Sequence, residues 1–102
     1  MKIFISQPMK GKTEEEIKSE REKLIKLAEE KAGEPVEIID SYFQDVPKKD
    51  NVVIDRVWYL GKSLQKLSEA NAVVFGQSWD KYDGCRIEHE VCKLYSIPIL
   101  VD

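Results

Sequence analysis

The sequence predicts an α/β fold: a small doubly wound sheet of four parallel strands, in the order 2-1-3-4, with helices on both faces. Three observations predict it. Short β-branched runs alternate with longer amphipathic stretches in a β-α-β-α-β-α-β series, which calls for a parallel sheet covered on both sides. The third and fourth runs, Ala72-Val73-Val74-Phe75 and Ile97-Pro98-Ile99-Leu100-Val101, are nearly all apolar, as buried parallel strands are. No repeat, low-complexity tract or linker divides the 102 residues, so they are read as one domain.

Each element has a local reason. Lys2 to Ile5 alternates into β-branched and aromatic residues and opens the chain as a strand. Pro8 and Gly11 break it in the loop of residues 6–12. Thr13-Glu14-Glu15-Glu16 is a capping box, and its glutamates complement the helix dipole. That helix runs through Ile17, Leu24, Leu27 and Ala28 and stops at Gly33, a good residue for a left-handed C-terminal turn. Its Glu20, Arg21, Lys23 and Lys26 read as a solvated face. Pro35 to Asp40 is the second strand. Residues 41–50 have no clean period and read as a loop, with Tyr42 and Phe43 either a satellite of the core or a pocket wall.

Val53, Val57, Leu60, Leu64 and Leu67 are spaced 4, 3, 4, 3, an amphipathic second helix. Trp58 and Tyr59 sit at its edge. Gly61 inside it costs about 1 kcal/mol relative to Ala, which implies close packing there by another helix or another subunit. Ala70-Asn71 ends this helix before the third strand. After the loop of residues 76–83 a third helix runs from about Gly84 to Tyr95, with Ile87, Val91 and Leu94 as its expected core stripe.

Composition narrows the function. The hydrophobic content is 42% and the charged content 34%, values of an ordinary soluble protein. A net charge of -3 gives no electrostatic footprint for nucleic acid. No apolar run approaches the length of a membrane span, and the first residues turn polar too quickly for a signal peptide. Cys85 and Cys92 lie on one predicted helix, about 10 Å apart along its axis, too far to bridge. Free thiols point to a reducing cytoplasm. One His and no Cys/His spacing pattern argue against zinc.

In a 2-1-3-4 sheet the order reverses between the first and third strands. The loops after them, residues 6–12 and 76–83, therefore face one another across the crevice where such folds bind ligands. Asp80, Asp83, Glu88 and Glu90 lie in or just after the second loop. Asp83 stands where a helix N-cap belongs, and that role alone explains it. Glu88, one turn into the helix, leans back toward the crevice, and the helix dipole favours its ionised form. Helical phase does not choose between Glu88 and Glu90; Glu88 is preferred for lying nearer the N-terminus. His89 reads as a surface residue. A carboxylate pair in a crevice is a weak sign of acid/base or covalent chemistry.

At these residues the chain resembles the nucleoside 2-deoxyribosyltransferase-like superfamily, and in particular its short bacterial and phage relatives, with a flavodoxin-like fold. Three segments carry the resemblance: Lys2-Ile3-Phe4-Ile5-Ser6-Gln7-Pro8-Met9-Lys10-Gly11, similar to the first strand and substrate loop; Ala70-Asn71-Ala72-Val73-Val74-Phe75-Gly76, similar to the third strand; and Asp83-Gly84-Cys85-Arg86-Ile87-Glu88 followed by Ile97 to Val101, similar to the Asp-Gly, catalytic Glu and final strand.

The resemblance implies that Glu88 is a nucleophile attacking C1′ of a deoxyribose to form a glycosyl-enzyme. Asp83, and Asp80 beside it, would position the sugar or protonate the departing base, as in a retaining glycosidase. Ser6, Gln7, Pro8, Met9, Lys10 and Gly11 would bind sugar or a 5′-phosphate, with Lys10 and Lys12 favouring a nucleotide. Trp79, Tyr82 and Met9 would stack on the base, and Gly76 and Gly84 would line the loop. No metal or organic cofactor is needed.

The chain departs from the family where Glu-x-Gly-x-Ala is usual: Glu90 and Cys92 occupy the small positions. It also lacks the further strand of the transferases, which shifts the expectation toward hydrolysis or binding without turnover. The expected partners are a small-molecule nucleoside or nucleotide and further copies of the chain in a homodimer or larger homo-oligomer, with no nucleic acid and no membrane.

Overall fold

The computed structural model describes residues 1–39 and 52–102; the expected loop aromatics Tyr42 and Phe43 lie outside the described residues. Its elements follow in the order β1 (Lys2–Ser6), α1 (Glu14–Ala32), β2 (Glu37–Ile39), α2 (Val52–Leu67), β3 (Ala72–Phe75), a single 3-10 turn (Trp79–Lys81), α3 (Asp83–Leu94) and β4 (Ile99–Val101). The four strands form one sheet in the order β2-β1-β3-β4, and every pairing is parallel. The α/β class, the doubly wound topology and the strand order are those the alternation predicts.

Alternation along β1 sorts the core into two layers. Ile3 and Ile5, with Ala72 and Val74 of β3, pack against Leu24 and Ala28 of α1. Phe4, Val73 and Phe75 pack on the other face against Leu67 of α2 and Cys92 of α3. The central strands are buried, β3 along its whole length, because helices cover both sides. The edge strand β4 is only half-buried. It is also two residues shorter at its start than the apolar run suggests, since Pro98 supplies a carbonyl to Val73 N–H and cannot itself donate to a ladder.

α1 begins with half of its capping box: Thr13 Oγ1 accepts from Glu16 N–H at 3.2 Å, while the Glu16 carboxylate takes the Thr13 hydroxyl at 3.2 Å rather than its backbone N–H. It ends on Gly33 in the left-handed conformation, φ 65°. Two features of its surface differ from expectation. Leu27 is exposed, while Glu20 and Arg21 are half-buried rather than solvated. The loop that follows β1 packs on the first turns of α1, with Lys12 on Glu20 and Gln7 on the Ile17 carbonyl.

The stripe expected for α3 is also displaced. Cys85, Glu88 and Cys92 face the core, whereas Ile87 and Leu94 are exposed and Val91 is half-buried. Helical phase admits both stripes, and hydrophobicity favoured the wrong one. α2 buries Leu67, half-buries Leu60 and Leu64, and leaves Val57 exposed. At Gly61 an added Cβ meets nothing within 4 Å among the described residues, so no close approach within them explains that glycine.

Candidate functional site

The loops after β1 and β3 meet as the strand order requires. Gly76 N–H donates to Ser6 C=O at 2.8 Å. Gly76 is also the one glycine where a side chain has no room. A Cβ there would stand 2.5 Å from Glu20 Oε1 and 2.8 Å from Pro8 Cδ. Gln7, 7% exposed, sends its amide N–H to Ile17 C=O at 2.6 Å and so ties the β1 loop to the first turns of α1. Gly11 makes the following turn at φ 79°, closed by Lys12 N–H on Met9 C=O.

Glu88 is the centre of this junction. It is 5% exposed. Ser6 Oγ donates to its Oε1 at 2.8 Å, and Ser63 Oγ donates to its Oε2 at 2.6 Å. Ser6 ends β1 and Ser63 lies on α2, so the carboxyl is clasped between the sheet and the neighbouring helix. Burial raises its pKa above the usual 4.5, and the two serine hydroxyls oppose that rise by stabilising the ionised form. Cys85, one turn earlier, is hydrogen-bonded to Ser6 but is pushed up to about 11 chiefly by burial, with Glu88 adding to the rise. Cys92 is likewise pushed up to about 11, by burial and then by Glu88. Both thiols are free and buried, and at these values neither is a nucleophile at neutral pH.

Of the two glutamates that helical phase left open, Glu88 is the buried one and Glu90 is exposed. The aspartates lie differently from the expectation. α3 starts at Asp83, with Tyr82 at the cap and no side-chain cap bond, so Asp83 is a first-turn residue rather than the N-cap. Its carboxylate is exposed and paired with Arg56 Nη2 at 3.1 Å. Asp80 lies in the 3-10 turn, exposed. Among the described residues no hydrogen bond joins either to the Glu88 cluster, and Asp80 lines the hollow beside Trp79 instead.

The aromatic residues also divide. Trp79 stacks on His89, with ring centres 3.9 Å apart and planes 11° from parallel, and Phe75 meets the edge of the same imidazole at 4.9 Å. His89 Nε2 lies 3.1 Å from Asp102 Oδ2. His89 is therefore a half-buried packing residue and not the surface residue expected, because Phe75 and Trp79 fold over it from the end of β3. Trp79 lines a hollow of about 370 Å³ with Glu20, Leu24, Gly76 and Val101, on the α1 side of the sheet. Glu88 is not among the residues lining that hollow. Tyr82 and Met9 are half-buried at the crevice, Pro8 is buried, and Lys10, Gly11 and Gly84 are exposed.

Two residues that pattern reading passed over complete the site. Ser63 carries no motif; its spacing from Leu60 and Leu67, one turn to each side on the inward face of α2, is the signal that marks it. Glu20 looked like surface charge, yet its Oε2 holds Lys12 Nζ at 2.9 Å. That hydrogen bond is the main reason the Lys12 pKa is raised, with Tyr82 and Glu16 adding smaller electrostatic contributions. Among the described residues, no three His, Cys, Asp or Glu side chains are grouped to hold a metal ion. Comparisons of the chain with family models, with curated proteins and with solved structures gave no match.

Proposed function

We propose that the protein cleaves or transfers at the N-glycosidic bond of a (deoxy)nucleoside or its 5′-monophosphate, with Glu88 as the nucleophile. The observation that carries the reading is a buried carboxyl at the topological switch point of the sheet, fixed by two hydroxyls from different elements. A surface glutamate placed early in a helix for its dipole needs neither the burial nor the clasp. The resemblance of the β1 loop and of the Asp83-Gly84…Glu88 segment to the nucleoside 2-deoxyribosyltransferase-like superfamily supports the same chemistry.

In this reading one Glu88 oxygen attacks C1′, the bond from C1′ to the base nitrogen breaks, and the base leaves with a proton from Asp83 or Asp80 or from water. Water or a second base then attacks C1′ of the glycosyl-enzyme and frees Glu88. Met9 and Tyr82 bound the base, and the loop of residues 6–12 bounds the sugar. Ile87, Leu94 and Tyr95, exposed on and just after α3, with Tyr59 of α2 exposed on the adjoining helix, support a homo-oligomer that covers them. The two free cysteines fit a cytoplasmic setting. No helix among the described residues is long and apolar enough to cross a membrane.

A second reading, a nucleotide-binding module without turnover, is favoured by one observation: both Glu88 oxygens already accept hydrogen bonds and the residue is 5% exposed. Free-base release separates the two. The protein is incubated with deoxynucleosides and their 5′-monophosphates, with and without a second base, beside Glu88→Ala. Release that vanishes in Glu88→Ala supports the enzyme; an intact panel with ligand-dependent protection against melting supports the binder and sinks the nucleophile.

A further inference from the structure

We propose that Glu20 sets the ligand class of the crevice: by holding Lys12 it reserves the site for an unphosphorylated nucleoside, and releasing Lys12 admits a 5′-monophosphate. The inference rests on the reading of the crevice as a nucleoside site.

Of the two lysines in the loop that follows β1, Lys10 is exposed and Lys12 is half-buried against α1. Its turn is closed by its own N–H on Met9 C=O. Gly76 joins the ion pair to the Glu88 clasp: its N–H donates to Ser6 C=O at 2.8 Å, its Cα lies against Glu20, and Ser6 Oγ donates to Glu88. Lys12 is not free to meet an anion: its ammonium is 2.9 Å from Glu20 Oε2, and the two side chains are only 24% and 20% exposed. A charge-assisted bond at that depth is stronger than an exposed surface pair. A phosphate reaching Lys12 would have to displace Glu20 and then lie beside its carboxylate.

The remaining polar atoms ask for a different ligand. Among the described residues, Glu20 Oε1 and Gln7 Oε1 are buried acceptors with no donor. Gln7 has already spent its amide N–H on Ile17 C=O. Both residues abut Gly76, where a Cβ would stand 2.5 Å from Glu20 Oε1 and 3.6 Å from Gln7 Cα. Both oxygens are enclosed, so a ligand meets them only by parting Glu20 from Gly76; O–H or N–H groups would then satisfy them, and a sugar hydroxyl or an exocyclic amine supplies these where a phosphate dianion does not. A neutralised cation beside unsatisfied acceptors favours a neutral, donor-bearing ligand over an anionic one.

The test measures binding and base release for the four deoxynucleosides and their 5′-monophosphates with wild type, Glu20→Gln, Lys12→Met and the double variant. Inorganic phosphate is a separate probe, read by melting temperature. The wild type is expected to favour the nucleosides. Glu20→Gln should shift the preference toward the monophosphates by about ten- to a hundredfold, the worth of a hydrogen bond between charged groups. Adding Lys12→Met should abolish that gain. Phosphate should raise the melting temperature of Glu20→Gln and leave the wild type unmoved.

Equal protection of both proteins by phosphate overturns the proposal, as does a wild type that prefers monophosphates. Phosphate protection confined to Glu20→Gln, with no nucleoside bound or cleaved, would leave the Glu20 gate standing and refute the catalytic reading instead. Should Glu20→Gln not melt cooperatively, Lys12→Met alone decides: an unchanged preference supports the proposal, and a selective loss of monophosphate binding overturns it.

Discussion

Replacing Ser63 with alanine removes one of the two hydroxyls that hold Glu88, and the consequence depends on pH. The Ser63 bond to Glu88 Oε2 is 2.6 Å long and reaches a residue 5% exposed, so it stabilises the ionised carboxylate more than the neutral acid. A hydrogen bond to a charged group is worth about 1.5–3 kcal/mol net, and one to a neutral group about 0.5–1.5. The Glu88 pKa is already raised by burial and lowered by both serines. Ser63→Ala therefore raises it further. In the folded state Glu88 keeps its proton over a wider range than in the unfolded chain, so stability falls as pH rises through that range. Below the ordinary value of 4.5 both states are protonated and the variant loses only the smaller neutral bond. Once the folded-state carboxyl ionises it loses the larger one.

Urea unfolding of wild type and Ser63→Ala across that pH range measures the difference directly, without needing a substrate. The expected gap widens by about 1 kcal/mol as pH rises through the ionisation of Glu88. Ser63→Thr, which keeps a hydroxyl, should close most of it. If base release is found, the acid limb of its rate profile should move to higher pH in Ser63→Ala and return in Ser63→Thr, because an attacking carboxylate must be ionised. A stability gap that is constant with pH, together with an unmoved acid limb, would refute the idea that Ser63 tunes Glu88.

Three other perturbations have expected outcomes. Gly76→Ala puts a Cβ 2.5 Å from Glu20 Oε1 and 2.8 Å from Pro8 Cδ, so one of them must move; a destabilisation of about 1–3 kcal/mol is expected in urea unfolding. Thr13→Ala removes the cap of α1 and should cost about 1 kcal/mol by the same measurement, with the crevice chemistry unchanged. Cys85 and Cys92, buried and pushed up to about 11, should react with a thiol reagent at neutral pH only as fast as the chain opens; immediate labelling of the native protein would contradict their placement.

The fold was legible because its signals are local and mutually consistent. Thr13, Gly33 and the unbroken apolar run of β3 each specify a boundary through their own chemistry, and right-handed crossovers then leave few arrangements of four parallel strands. The site was legible only in part. The place of Glu88 followed from topology, but its partner Ser63 is 25 residues away on another helix, and a serine between leucines announces nothing. The buried face of α3 is hidden from pattern reading for a related reason. Its inward face carries two cysteines and a glutamate, while its outward face carries Ile87 and Leu94, so a rule that sends hydrophobic residues inside selects the wrong stripe. His89 carries no local sign of its burial because its partners, Phe75, Trp79 and Asp102, come from three other segments.

That inverted helix has an energetic consequence. A chain selected for stability alone would place an apolar residue at position 88, between Cys85 and Cys92. A carboxyl there carries a desolvation cost that two serines offset only in part, since its pKa remains raised. Glu88→Gln isolates that cost. The amide is the same shape; its oxygen can accept from one serine, and its N–H₂ can donate to the other hydroxyl, so the clasp keeps its hydrogen bonds. Below the ordinary glutamate value the wild type is neutral at this position and the two proteins should be equally stable. As pH rises, the wild type must either ionise a buried carboxyl or hold a proton against the solution, and the variant does neither. Glu88→Gln should therefore become the more stable protein toward neutral pH, by about 1 kcal/mol, and any base release found in the wild type should be lost. A variant that is less stable at every pH would mean that the serines fully repay the burial, and that Glu88 is held for the fold.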